Sequence, residues 1–147
     1  MDKITIIGMG LIGSSLGMAL KKAKVNAEIV ATDRDRGTAT RAVKAGAADS
    51  TETNPINAVR GARLVIISIP VGAIEEIMRL IGPELADGCV VTDTGSTKAE
   101  VLRWAEQYLP SSVSFVGGHP MAGKELSGPD AAQADLFQGA TYCVVPG

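Results

Sequence analysis

Aromatic side chains are nearly missing from this sequence: one tryptophan, two tyrosines and two phenylalanines make up 3% of its 147 residues. Without large rings the interior must be filled by Val, Ile, Leu and Ala, and such aliphatic runs suit parallel strands buried on both faces. Cysteine is scarcer still. Cys89 and Cys143 lie in separate apolar runs, too few and too isolated for a disulfide framework or a zinc site, and read as buried, reduced thiols. No metal is expected. Positive charge is not in excess, since 14 Lys and Arg against 16 Asp and Glu leave a net charge of −2. That argues against nucleic acid as a partner, because counterion release needs a basic face. No stretch approaches the roughly 20 apolar residues of a membrane span, and the opening Met1-Asp2-Lys3-Ile4 lacks a signal peptide's basic region and apolar run. No membrane association and a cytoplasmic location are therefore expected.

What is present matches a soluble globular domain. Apolar residues make up 46% and charged residues 20%, and the length fits one domain able to bury a core without covalent staples. A short β-branched run over 3–8 meets a glycine turn and then a helical pattern over 11–23, carrying Leu16, Ala19 and Leu20. Residues 28–32 read as a second strand and 36–45 as a second helix with Gly46 as its C-cap. Arg34, Arg36, Arg41 and Lys44 fall on that helix as a solvated face. A third strand over 64–69 stops at Pro70, before a helix carrying Ile74, Ile77, Met78 and Ile81. Residues 89–92 make a fourth strand. Thr97-Lys98-Ala99-Glu100 has capping-box spacing and starts a helix to about Tyr108. Strands at 113–116 and 141–145 complete the pattern, with 124–139 as a loop or short helix at the sheet edge. Strands alternating with helices imply right-handed crossovers, hence an α/β Rossmann-type, doubly wound, mostly parallel sheet.

The turn reads Gly8-Met9-Gly10-Leu11-Ile12-Gly13. It follows a strand, opens a helix, and is followed by Asp33 at the end of the second strand, the context that makes a glycine fingerprint specific. Gly8 permits the tight turn, Gly10 lets the backbone approach a pyrophosphate, Gly13 lets helix and strand pack, and Leu11 and Ile12 belong to the helix start whose amides face the phosphates. Asp33 is placed to accept from adenosine ribose hydroxyls and to repel the extra phosphate of NADP, so NAD is the expected cofactor. Two readings compete: Asp33 as a helix N-cap, and Arg34 or Arg36 as a holder of a 2′-phosphate, or Arg34 as a stacking partner for adenine.

Ligands of open α/β sheets bind outside the carboxyl ends of the strands. Ser68 and Pro70 stand after strand three, and Thr94, Gly95 and Ser96 after strand four. Gly117-Gly118-His119-Pro120-Met121-Ala122-Gly123 follows strand five. His119, the single histidine, reads as a residue on a tight turn, where a neutral imidazole accepts a proton near neutral pH; a structural histidine is the alternative. Ser96 is evenly placed between a functional role and an N-cap, although Thr97 is the better cap.

These stretches, with Asp93-Thr94-Gly95-Ser96-Thr97-Lys98, Ser127-Gly128 and Leu136-Phe137, resemble the prephenate/arogenate dehydrogenases of tyrosine biosynthesis, over nearly the whole chain. The resemblance implies hydride transfer from C4 of a cyclohexadienyl ring to NAD, with loss of the C1 carboxylate as carbon dioxide. It further implies that His119 takes the substrate's ring hydroxyl proton and that Ser96 supports His119 and the same hydroxyl. In that family a helical C-terminal domain supplies further substrate-binding residues, including an arginine for the carboxylates, and most of a homodimer interface. No such domain is found in residues 1–147, so an excised or truncated cofactor domain is expected, with poor turnover alone. Two alternatives are a dehydrogenase of the β-hydroxyacid or imine reductase type, against which the Gly117-Gly118-His119-Pro120 stretch counts, and a non-catalytic NAD-binding module.

Overall fold

The computed structural model describes residues 2–94, 99–120 and 142–146, with the backbone alone for 118–120 and 142–146. Its elements run β1 (Asp2–Ile7), α1 (Leu11–Lys22), β2 (Ala27–Thr32), α2 (Arg36–Lys44), β3 (Ser50–Thr51), α3 (Pro55–Val59), β4 (Leu64–Ile67), α4 (Val71–Ile81), a 3-10 turn (Gly82–Glu84), β5 (Val90–Asp93), α5 (Ala99–Tyr108), β6 (Ser114–Pro120) and β7 (Tyr142–Pro146). The strands form one sheet in the order β3-β2-β1-β4-β5-β6-β7. All neighbours are parallel except β6 and β7, which pair antiparallel. This is the doubly wound Rossmann arrangement, with the sheet order reversing between β1 and β4.

Alternation along β1 explains the two-layered core. Ile4 and Ile6 face a cluster with Ile29, Ala31, Ala42 and Ile66, against which Leu16 and Leu20 of α1 pack. Ile7 faces the other cluster, where Val65, Ile67 and Val91 of the sheet meet Ile74, Met78 and Ile81 of α4 and Val101 and Ala105 of α5. Central strands covered on both faces leave no room for a solvated side, hence the unbroken aliphatic runs. The few aromatics Trp104, Tyr108 and Phe115 pack at the margin of that second cluster.

The structure departs from expectation in three places. Residues 50–51 form a two-residue strand, too short for a hydrophobic pattern to register. Residues 55–59 form a helix, with Pro55 in its first turn and the Asn54 side chain accepting from the Ile56 N–H at 3.0 Å; this Asn-Pro start signal was present in the sequence. The largest departure concerns Gly117 to Pro120. Expected as a turn after strand five, they continue β6, with Gly118 opposite Val144, His119 opposite Cys143 and Pro120 opposite Tyr142. An antiparallel partner supplies ladder bonds that override the weak strand preference of glycine, and proline is tolerated at the strand end. The candidate capping box at Thr97 and the segment 124–139 lie outside the described residues. Among the described residues no helix is long and apolar enough to cross a membrane, and no cluster of His, Cys, Asp and Glu could hold a metal ion.

Candidate functional site

The site is built at the carboxyl ends of the parallel strands. Gly8 leaves β1 with φ +95°, a conformation open to glycine and strained for other residues. A Cβ there would lie 2.1 Å from the Ser68 carbonyl oxygen, and one on Gly13 would lie 2.0 Å from the Gly8 carbonyl oxygen. Both positions are therefore closed by backbone. Gly10 differs, because a Cβ built on it meets nothing within 4 Å. The loop thus presses against the protein at Gly8 and Gly13 and faces open space at Gly10.

Helix α1 begins at Leu11 with Gly10 as its N-cap, no side chain capping it and no acidic residue in its first turn. Leu11 and Ile12 are half-buried and Gly13 is buried. The first-turn amides and the positive end of the helix dipole are left for an anionic group. Ser14, buried, donates its hydroxyl to the Met9 carbonyl at 2.9 Å and fastens the loop to the helix from below.

Asp33 holds the loop from the other side. Its Oδ2 accepts from the Met9 N–H at 2.7 Å and its Oδ1 accepts from the Asp35 N–H at 2.9 Å. The N-cap reading of Asp33 is corrected here: Asp35 caps α2, accepting from the Gly37 N–H at 2.9 Å. That bond, with help from the Thr38 hydroxyl, holds the Asp35 carboxyl below the usual carboxylate range. Asp33 is half-buried and Arg34 exposed. Arg34 also lies before α2 and not on it, unlike Arg36, Arg41 and Lys44, which are exposed on the helix as expected. A hollow of about 130 Å³ beside Asp33 is lined by Arg36, Thr40, Thr51, Glu52 and Thr53. A larger one, about 690 Å³, lies at the opposite edge among Lys3, Lys21, Glu28 and Asp49, away from every motif of the sequence.

Across the sheet reversal, Ser68 follows β4 and Thr94 follows β5. Their hydroxyls are joined, Thr94 Oγ1 donating to Ser68 Oγ at 3.2 Å. Pro70 stands at the start of α4, on its N-cap position. Asp93, fully buried, is in register with Ile67 on one side and Gly117 on the other. His119 lies two residues past Gly117, beyond the end of the β5 ladder and on the same sheet edge as Thr94. Gly95 and Ser96 lie outside the described residues. Burial pushes the Cys89 thiol up, which fits an unreactive interior group; of Cys143 the backbone is described, in β7.

The structure thus brings the glycine loop, Asp33, Ser68, Pro70, Thr94 and the backbone of His119 to one edge. Sequence reasoning missed Ser14 and the Asp33 to Met9 bond. A serine on the helix face that carries Gly13 and Gly17 was the available signal for the first; nothing local announces the second.

Comparison with known proteins places these features in context. Residues 16–147 match the family described as prephenate dehydrogenase, nucleotide-binding domain. The prephenate dehydrogenase of Lactococcus lactis subsp. cremoris is 40% identical over 144 residues, covering 97% of this chain and 40% of that protein. That of Bacillus subtilis is 40% identical over 147 residues, covering 99% and 40%. Among solved structures, the prephenate dehydrogenase from A. aeolicus in complex with hydroxyphenyl propionate and NAD+ superposes with a TM-score of 0.90 at 29% identity, over 100% of this chain and 51% of that one. The chain therefore spans about 40% of the length of the curated relatives named here.

Proposed function

Because this chain belongs to the prephenate dehydrogenase nucleotide-binding family, we propose that it is the NAD-binding domain of an enzyme that oxidatively decarboxylates prephenate, or arogenate, to 4-hydroxyphenylpyruvate, or tyrosine. The observation that carries the proposal is the glycine loop itself. It is closed by backbone at Gly8 and Gly13, open at Gly10 and followed by a helix start with no side-chain cap. A pyrophosphate fits such a cradle, since it needs close backbone approach and unpaired amides.

In this reading Gly10, Leu11, Ile12 and Gly13 receive the pyrophosphate, while Asp33, oriented by two backbone amides, offers its remaining lone pairs to the adenosine ribose hydroxyls. A carboxylate at that point repels a 2′-phosphate, so NAD is preferred over NADP; Arg34, exposed beside it, is free to lie over the adenine. Ser68, Pro70, Thr94 and Gly95 border the nicotinamide half. Bound NAD supplies the hydride acceptor. His119 accepts the proton of the substrate's C4 hydroxyl as C4–H is lost as hydride, and Ser96 supports the imidazole and that hydroxyl. Loss of the C1 carboxylate as carbon dioxide then returns its electron pair to the ring, and the ring becomes aromatic.

The remainder of a full-length protein is proposed to supply the groups that hold the substrate's carboxylates and the homodimer interface, with the whole enzyme working in the cytoplasm. The test is to mix the full-length protein with NAD and prephenate, or arogenate, and follow NADH absorbance. NADH formation with equimolar carbon dioxide supports the proposal. Binding of NAD without turnover of either substrate contradicts the enzymatic part and leaves a cofactor-binding module.

A further inference from the structure

This inference rests on the NAD reading above and concerns a residue that the cofactor does not touch. Met9, in the middle of the glycine turn, is fully buried among Ile4, Ile6, Ile29 and Ala31. Side chains take both of its backbone polar groups. Its N–H donates to Asp33 Oδ2 at 2.7 Å, and its carbonyl accepts from the Ser14 hydroxyl at 2.9 Å. The direction of the second bond is fixed, since a carbonyl oxygen can only accept.

Ser14 is itself fully buried, one turn into α1. Its own N–H donates to the Gly10 carbonyl at 3.0 Å, so the hydroxyl and the amide of one residue hold two consecutive carbonyls of the turn. The peptide between Met9 and Gly10 is trans, and in a planar trans peptide the C=O and the N–H point in opposite directions. With the Met9 carbonyl drawn inward onto Ser14, the Gly10 N–H is turned outward. Among the described residues none accepts from it. It also belongs to the glycine of the fingerprint whose Cβ would meet open space, whereas Gly8 and Gly13 are closed by backbone.

We infer that Ser14 is a positioning residue for the pyrophosphate: by holding the Met9 carbonyl inward it keeps the Gly10 N–H aimed at a phosphate oxygen. Without the hydroxyl, the Met9–Gly10 peptide gains freedom to turn about its flanking single bonds. A carbonyl oxygen rotated outward would then meet the phosphates with charge of the wrong sign. The adenosine end depends on Asp33, which is tied to the preceding peptide through the Met9 N–H. Ser14 therefore bears on the phosphates and leaves adenosine recognition alone.

That division is tested by titrating the chain with NAD, ADP and adenosine while following the Gly10 N–H signal in proton–nitrogen NMR spectra, in wild type and Ser14→Ala. In wild type, NAD and ADP are expected to move that signal downfield, as a charge-assisted bond to a phosphate oxygen does; adenosine leaves it near its starting position. Ser14→Ala is expected to weaken NAD and ADP alike by about 5- to 10-fold, the usual worth of one hydrogen bond, with adenosine affinity kept within about two-fold. A wild-type Gly10 signal that ADP does not move overturns the inference, and that result does not depend on the variant folding. Unchanged ADP affinity in Ser14→Ala overturns it too, as does an equal loss for adenosine, the mark of a general loosening of the turn. Each of these leaves the NAD reading in place. Wild type that binds neither NAD nor ADP overturns the reading and the inference together.

Discussion

The backbone N–H of Met9 donates to Asp33 Oδ2 at 2.7 Å, tying the middle of the glycine turn to the end of the neighbouring strand across 24 residues of sequence. One carboxylate thereby shapes the loop and marks its border, and the second oxygen does the same for the Asp35 N–H.

Asp33→Ala removes an acceptor from both amides. The expected cost is about 1–2 kcal/mol of stability, since the Met9 bond is half-buried while the Asp35 bond is exposed and water replaces much of it, read as a lowered denaturation midpoint. NAD affinity falls by more than the stability loss alone explains, and NADP affinity falls less than NAD because the repelling charge is gone.

The glycines separate fold from function. Gly13→Ala puts a Cβ 2.0 Å from the Gly8 carbonyl oxygen, and Gly17→Ala puts one 2.0 Å from the Ala47 carbonyl oxygen. Backbone cannot yield as a side-chain tip can, so each is expected to destabilise by about 1–3 kcal/mol or more. Gly10→Ala meets nothing within 4 Å and has an ordinary φ of −72°; its thermal midpoint stays near wild type while NAD binding weakens about ten-fold or more, because the methyl group occupies the space proposed for the pyrophosphate. Melting curves with and without NAD distinguish the two classes.

His119→Asn in the full-length enzyme is expected to lower kcat by about 100-fold or more, the usual contribution of a positioned general base, with little change in NAD affinity. The fall in rate at low pH that protonation of the imidazole sets should disappear. An unchanged kcat removes His119 from the chemistry.

Asp49 gives a pH dependence remote from the site. Its Oδ2 accepts from the Ile29 N–H at 2.8 Å and its Oδ1 pairs with Lys21; the amide first and the lysine second hold its carboxyl below the usual carboxylate range. A group whose folded pKa is depressed stabilises the fold above its unfolded pKa and loses that contribution as pH falls through the folded value, below about pH 4. Asp49→Asn should therefore lower the melting midpoint at pH 7 and show a shallower further fall toward pH 3 than wild type. Parallel acid curves for the two proteins would refute the assignment.

Most of this fold was legible because its strands are buried on both faces. Runs such as Ile29 to Ala31 and Val65 to Ile67 have no polar alternation to confuse them, and Gly8 and Gly46 punctuate their neighbours with positive φ. What escaped was set by partners distant in sequence. Ser50 and Thr51 become a strand because Val30 and Ala31 offer a ladder, and Gly117 to Pro120 stay extended because β7 returns alongside them. The site followed the same division. Gly8, Gly10, Gly13 and Asp33 were visible from spacing, whereas the Ser14 staple and the joined hydroxyls of Ser68 and Thr94 depend on which strand ends the topology sets side by side.

The central claim is that the edge built by Gly8 to Gly13 and Asp33 is an NAD site. Isothermal titration of this chain with NAD and NADP in parallel tests it most directly. Saturable binding of one NAD per chain is expected, with NADP weaker by about ten-fold or more from the unfavourable charge at Asp33, and NAD binding weakened by about ten-fold or more in Gly10→Ala with a thermal midpoint near wild type. Absence of NAD binding by the folded chain, or tighter binding of NADP, would contradict it.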